Sequence, residues 1–396
     1  MGGKTRLKVF VYRRFSPTRN ISRVGALIGL SACLLAVSCD KKTAHNDPIS
    51  LVSWGSDLQK DLMTDIVIPA AARSGLVVRD DTWNGDYPDL TTRIDRGINT
   101  WDLVHVDGIF VLTPRWKQLF YQDPDRGMGE LAGALIENSE LHEPLRLGFA
   151  VPVLEYGYLI AGRQKKFPGH PISKLTWKDF WNTSMYPGNR GLRDTPVGNI
   201  EAALESLSSP VHPTQLYEEP DPAKLQVLVA KALSRVQELA PHVVWWKNGE
   251  ALQQGLESGD TPLTAAWSGR VRSSFANVCK DNETIQTCDV QISPHSSLIS
   301  TDWWIIPANA KNKEAASRLL KEMISKAAVA GAAKFSESQG YAVPLKGAHV
   351  TDAIADYFIS SGSSANPAIL ARISERFWGK NLDWISKEWA KFRASQ

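Results

Sequence analysis

The chain has 396 residues, with 45 Lys and Arg against 42 Asp and Glu, a formal net charge of +3 at pH 7 and 43% hydrophobic residues. That length is enough for two domains of ordinary size. Acids and bases are interspersed without a Lys/Arg block, which argues against a nucleic-acid surface. Charge is uneven in one place: residues 1–38 carry Lys4, Arg6, Lys8, Arg13, Arg14, Arg19 and Arg23 and no acid, so the chain's +3 less this segment's +7 leaves −4 for the remainder.

The basic segment runs into an uncharged stretch from Val24 to Ser38. It is too short to span a bilayer comfortably and has the make-up of the apolar region of a secretory signal. Its end, Leu35-Ala36-Val37-Ser38-Cys39, resembles the lipobox of bacterial lipoproteins. That resemblance implies a signal peptide over 1–38, lipidation of Cys39, and a mature chain anchored to the membrane without spanning it. Asp40, directly after the cysteine, resembles the enterobacterial signal for retention in the inner membrane. The alternative is an ordinary signal peptide with Cys39 incidental. Residues 39–48 have no apolar period and read as a tether, so the fold is expected to start near Ile49.

From Ile49 short apolar runs alternate with helical patterns. Leu51 to Trp54 reads as a strand, Leu58 toward Ile68 as a helix, Leu76 to Val78 as a strand, Pro88 to Ile98 as a helix and Trp101 to Val106 as a strand. Phe149 through Ile160 is a plausible first crossover between two lobes. A second set follows, with strands at Arg190–Asp194, Val243–Trp246 and Leu263–Trp267 separated by helices such as Ala223–Leu239 and Glu250–Glu257. Cys279 and Cys288 then form the one cysteine pair of the folded part. An oxidising compartment points to a disulfide, with metal binding as the alternative. Residues near Ser300 could return the chain to the first lobe. Beyond Asn309 the pattern is helical, and Trp378, Trp384 and Trp389 read as packing residues.

The fold expected is α/β with parallel sheets covered on both faces, in two lobes: 49–151 plus about 300–345, and 152–299 plus about 346–396. In such sheets ligands collect beyond the carboxyl ends of strands. The chain has no HExxH, GxSxG, P-loop or metal-spaced histidine pair, and no nucleophile and base that can be placed together. The strand ends instead carry Trp54 with Asp57, Asp107, Asp194, Trp267, and Asp302 with Trp303. Carboxylates there suit ammonium groups, and an indole face holds a cation at about 0.5–2 kcal/mol. Taken singly, each is more readily a helix cap or a core residue.

Thr301-Asp302-Trp303-Trp304-Ile305-Ile306-Pro307-Ala308-Asn309-Ala310-Lys311-Asn312-Lys313-Glu314-Ala315 closely resembles a segment of bacterial spermidine/putrescine-binding proteins, the solute receptors of ABC importers. Trp101–Val104, Pro187–Asp194, Pro241–Trp246 and Ala265–Arg270 resemble the same family in the same order, so the likeness covers nearly the whole mature chain. It implies a bilobed periplasmic-binding-protein fold that closes on a ligand about a hinge. In that family Asp302 matches an aspartate that binds an amino group and Trp267 a tryptophan that stacks on the polyamine chain. Asp194 lies where an acid faces the ligand, and Trp54 where aromatic and hydroxyl contacts arise. Three positions depart from the pattern: Ser300 replaces a tryptophan, Asp107-Gly108-Ile109-Phe110 stands where an aromatic pair follows the strand, and Val197 replaces an acid.

The function implied is capture of a small cationic, polyamine-like solute in the periplasm and its delivery to a membrane permease driven by a separate ATPase. The chain would act as a monomer, with no cofactor, metal or covalent chemistry. A sensing or regulatory lipoprotein on the same fold is the alternative, and an exported hydrolase ranks last.

Overall fold

In the structure, a computed structural model, residues 47–121, 150–364 and 368–396 are described. Cys39, the leader and most of the tether lie outside the described residues. The first strand, β1 (Ile49–Ser53), is buried along its whole length. It pairs in parallel with β2 (Val78–Thr82) and β3 (Leu103–Asp107). On the other side of the molecule β5 (Arg190–Arg193) lies parallel to both β6 (Val243–Trp246) and β7 (Leu263–Trp267). These two sets are the parallel cores that the alternation of strands and helices predicts.

They are not separate sheets. The connecting strands β4 (Val151–Arg163) and β8 (Val290–Ile305) run for 13 and 16 residues, which at about 3.3 Å per residue is roughly 40–50 Å, more than twice a usual strand. Each is long enough to pair in both halves. Among the described residues hydrogen bonding therefore forms one nine-stranded sheet, β2-β1-β3-β8-β4-β7-β5-β6, with the short β9 (Ala371–Arg372) beside β8. The contacts of β4 and β8 with each other and with β3 and β7 are antiparallel. The register of β4 on β8 shifts between Pro152 and Leu154 and again between Tyr158 and Ile160.

Each half buries its own apolar residues, which is what makes two lobes of a shared sheet. Leu51, Leu62, Leu319 and Phe335 pack on one face of the β1–β3 half and Val104, Val106, Phe110 and Trp303 on the other. Leu192, Val229, Leu263, Trp246 and Trp378 fill the second half. The helix Glu375–Ala394 buries Trp378 and Trp389 in that second core. Local signals fix the helix starts. Asp86 accepts from the Asp89 amide ahead of Tyr87–Asp95, and Asp221 accepts from Ala223 ahead of Pro222–Leu239; both helices have proline in the first turn.

β2 starts at Val78, two residues later than the apolar run Leu76 to Val78 expected to form it. As an edge strand it is mostly exposed, so its sequence, VRDDT, carries no apolar pattern. Among the described residues no helix is long and apolar enough to cross a membrane.

Candidate functional site

Strand alternation decides which residues meet. In β3 the side chains of Leu103, His105 and Asp107 share one face, and pairing sets His105 opposite Trp304 and Asp107 opposite Asp302 on β8. Two buried carboxylates thus face each other at the carboxyl end of β3. Val106 and Trp303 point the other way.

Asp302 accepts from the Trp54 indole (Nε1 to Oδ2, 2.9 Å), and His105 Nε2 lies 3.1 Å from the same oxygen. Trp54 follows β1 and stacks on Trp83 with ring centres 5.3 Å apart. Asp107 accepts from the Ile109 amide, capping the short helix Gly108–Val111. The Tyr156 hydroxyl of β4 lies 3.4 Å from Asp107 Oδ2, and the Asp107 amide donates to the Tyr87 hydroxyl at 2.8 Å. Burial, and next the facing Asp302, push the Asp107 carboxyl up to about 6, partly offset by Arg193. Burial likewise holds the Tyr87 and Tyr156 hydroxyls well above their ordinary range, so both stay protonated.

Behind this pair stands Glu375, at the start of the C-terminal helix, accepting from Trp303 Nε1 at 3.1 Å. Burial pushes its carboxyl up to about 7. Gly108 makes the approach possible, since a Cβ there would collide with the Glu375 carboxylate and the Thr301 carbonyl. The departure from an aromatic pair at this position therefore has a packing cause.

The second half contributes Arg193, from the end of β5. Its guanidinium lies over the Trp267 ring at 4.9 Å, and Nη1 reaches to 3.7 Å from Asp107 Oδ2. Trp246 and Tyr156 set their edges against the same indole, with ring centres at 4.9 and 6.3 Å. Beside Trp54 a cleft of about 750 Å³ opens to solvent, lined by Ser56, Trp83 and Trp101 from one half and Glu250 from the other.

Of the residues expected at the site, the structure brings together Trp54, Asp107, Trp267 and Asp302. Three others lie elsewhere. Trp303 is buried in the core by the parity of β8. Asp194 turns to the C-terminal helix, accepting from Arg393 Nε at 3.0 Å and Trp389 Nε1 at 3.3 Å. Asp57 is exposed in the first turn of the helix Ser56–Leu62. Cys279 and Cys288 are joined past the end of the helix Ser268–Val278, with Cα atoms 5.4 Å apart. Arg193, His105, Trp83, Tyr87 and Tyr156 join the site without a motif that marks them in the sequence; for Arg193 the one local sign is a charged residue ending a strand.

The fold and site define a two-lobed receptor with a charged, aromatic-walled cleft and, among the described residues, no paired nucleophile and base open to a solute. Residues 145–359 match the family described as bacterial extracellular solute-binding protein, and the chain belongs to that family. It is a binding protein and not an enzyme. The chain is 26% identical over 287 residues to the gamma-aminobutyric acid-binding protein of Pseudomonas aeruginosa, covering 70% of this chain and 72% of that protein. The fold is similar to that of a GABA receptor at a TM-score of 0.71 and 20% identity, over 88% of this chain and 98% of the other. It is also similar to the PBP MotA of A. tumefaciens B6 in complex with glucopine, at a TM-score of 0.73 and 21% identity, over 88% and 100% of the two chains.

Proposed function

We propose that this protein is the periplasmic solute receptor of an ABC importer, anchored through a lipid on Cys39, and that its solute is a small zwitterion bearing both an ammonium and a carboxylate. The lobes would comprise 49–151 with about 300–345, and 152–299 with about 346–396, hinged on β4 and β8 where their register shifts. Closure would exclude water from the carboxylates and present the closed form to a permease.

The observation that carries the reading is the position of Arg193. The indole face expected to hold a ligand cation is already covered by its guanidinium, which also approaches Asp107. A diamine placing its second ammonium on Trp267 would lie about 5 Å from that charge. At an effective dielectric near 20 the repulsion is about 3 kcal/mol, larger than the 0.5–2 kcal/mol a cation gains on an indole. A carboxylate in the same place gains a charge-assisted hydrogen bond instead. The ammonium end then faces Asp302 and Asp107. The name of the gamma-aminobutyric acid-binding relative supports this ligand class over polyamine.

A thermal-shift panel on the mature chain tests the proposal. γ-Aminobutyrate should raise the melting temperature, whereas butylamine, butyrate and putrescine, each lacking one of the two groups, should leave it unmoved. Stabilisation by putrescine or spermidine with none from any amino acid would restore the polyamine reading.

A further inference from the structure

His105 is wholly buried beneath the carboxylate pair. Its Nδ1 lies 2.8 Å from the Ser53 hydroxyl, which is itself buried at the end of β1. Its Nε2 is 3.1 Å from Asp302 Oδ2 yet out of line for a hydrogen bond, and among the described residues it has no other partner. The ring packs between Trp54 and Trp304, with centres at 5.5 and 4.9 Å, and the His105 carbonyl accepts from Trp83 Nε1 at 3.1 Å. One residue thus touches Asp302 and two indoles of the cleft wall, Trp54 and Trp83. Ser53, His105 and Asp302 form a chain like a hydrolytic triad, but the hydroxyl is sealed in the core and out of reach of any solute.

We infer that His105 is the positioning residue of the Asp302 carboxylate: with Ser53 donating to Nδ1, the ring is held as the Nε2–H tautomer, which donates to Asp302 and aims it at the solute's ammonium. A buried polar atom without a partner is rare in native proteins. A small turn of the Asp302 carboxylate, of the kind an arriving ammonium would cause, brings Nε2 into line. The tautomer then follows from its other nitrogen's partner, as it does for metal-bound histidines.

The role as positioning residue rests on the proposed function, but the tautomer does not. Histidine-selective ¹⁵N NMR of the solute-free mature chain, with the signal assigned by its loss in His105→Gln, should show an unprotonated Nδ1 and a protonated Nε2. A proton on Nδ1, alone or together with Nε2, would overturn the inference. With γ-aminobutyrate as probe, His105→Gln, which keeps a donor near the Nε2 position, should bind within about threefold of wild type, and His105→Leu at least tenfold more weakly. Equal losses in the two variants, or losses that only track melting temperature, would reduce His105 to a core residue.

Discussion

Arg193 lies with its guanidinium 4.9 Å from the centre of the Trp267 ring and its Nη1 3.7 Å from Asp107 Oδ2. It joins the end of β5 in one half of the molecule to the end of β3 in the other, so the charge that closes the site is supplied by the protein. The consequences extend to neighbouring groups.

Asp302→Asn removes a charge without changing shape. Because Asp302 faces Asp107 across β3 and β8, the solute-free variant should be as stable as wild type or more so. Its affinity for an ammonium-bearing solute should fall about 100-fold, or about 2.7 kcal/mol. Calorimetry with denaturation curves checks both. A parallel loss of stability would make Asp302 a structural residue.

The raised carboxyls of Asp107 and Glu375 make the solute-free protein pH-dependent. Both hold protons more tightly folded than unfolded, so their contribution to stability is complete below their ordinary values near 4. It is lost as pH rises through about 6 for Asp107 and about 7 for Glu375. Stability should decline between pH 4 and 7 by about 3 kcal/mol per group. Asp107→Asn and Glu375→Gln should each flatten the profile in that window, as read by urea denaturation at a series of pH values. An unchanged profile in both variants would show these groups ionised throughout.

Asp194→Ala should separate stability from binding in the opposite sense to Asp302→Asn. The carboxylate holds Arg393 and Trp389 of the C-terminal helix, and its loss should cost about 1–2 kcal/mol of stability, given its partial exposure. Affinity should stay within about twofold. A large fall in affinity at unchanged stability would return Asp194 to the ligand site.

Replacing Cys279 and Cys288 by serine opens a loop of sequence separation 9. The loss expected from chain entropy is about 2–3 kcal/mol. The bond lies away from the carboxylates, so ligand affinity should not change. Two free thiols in the native oxidised protein would show the bridge to be absent.

Much of the fold is legible in sequence because β1, β3, β6 and β7 are short apolar runs bounded by turn residues or helix starts. The single sheet is not. Pro152, Gly157 and Pro294 break the apolar pattern inside β4 and β8, so strands of 13 and 16 residues look like crossing segments. At the site, Trp54, Asp107, Trp267 and Asp302 share the sheet edges where a strand-end argument looks for them. Arg193 and Asp194 show where that argument stops: they are adjacent, the backbone turns after β5, and one reaches Trp267 while the other reaches the C-terminal helix. His105 and Tyr156 lie inside strands, where only the pairing of β3, β4 and β8 reveals what they face.

The most direct test of the role given to Arg193 is calorimetry of γ-aminobutyrate and putrescine on wild type and Arg193→Glu. Wild type should favour γ-aminobutyrate by at least tenfold. Reversing the charge beside Trp267 should abolish that preference and turn it toward putrescine, because the carboxylate loses its partner and the second ammonium gains one. An Arg193→Glu protein that still binds γ-aminobutyrate as tightly as wild type would contradict the account.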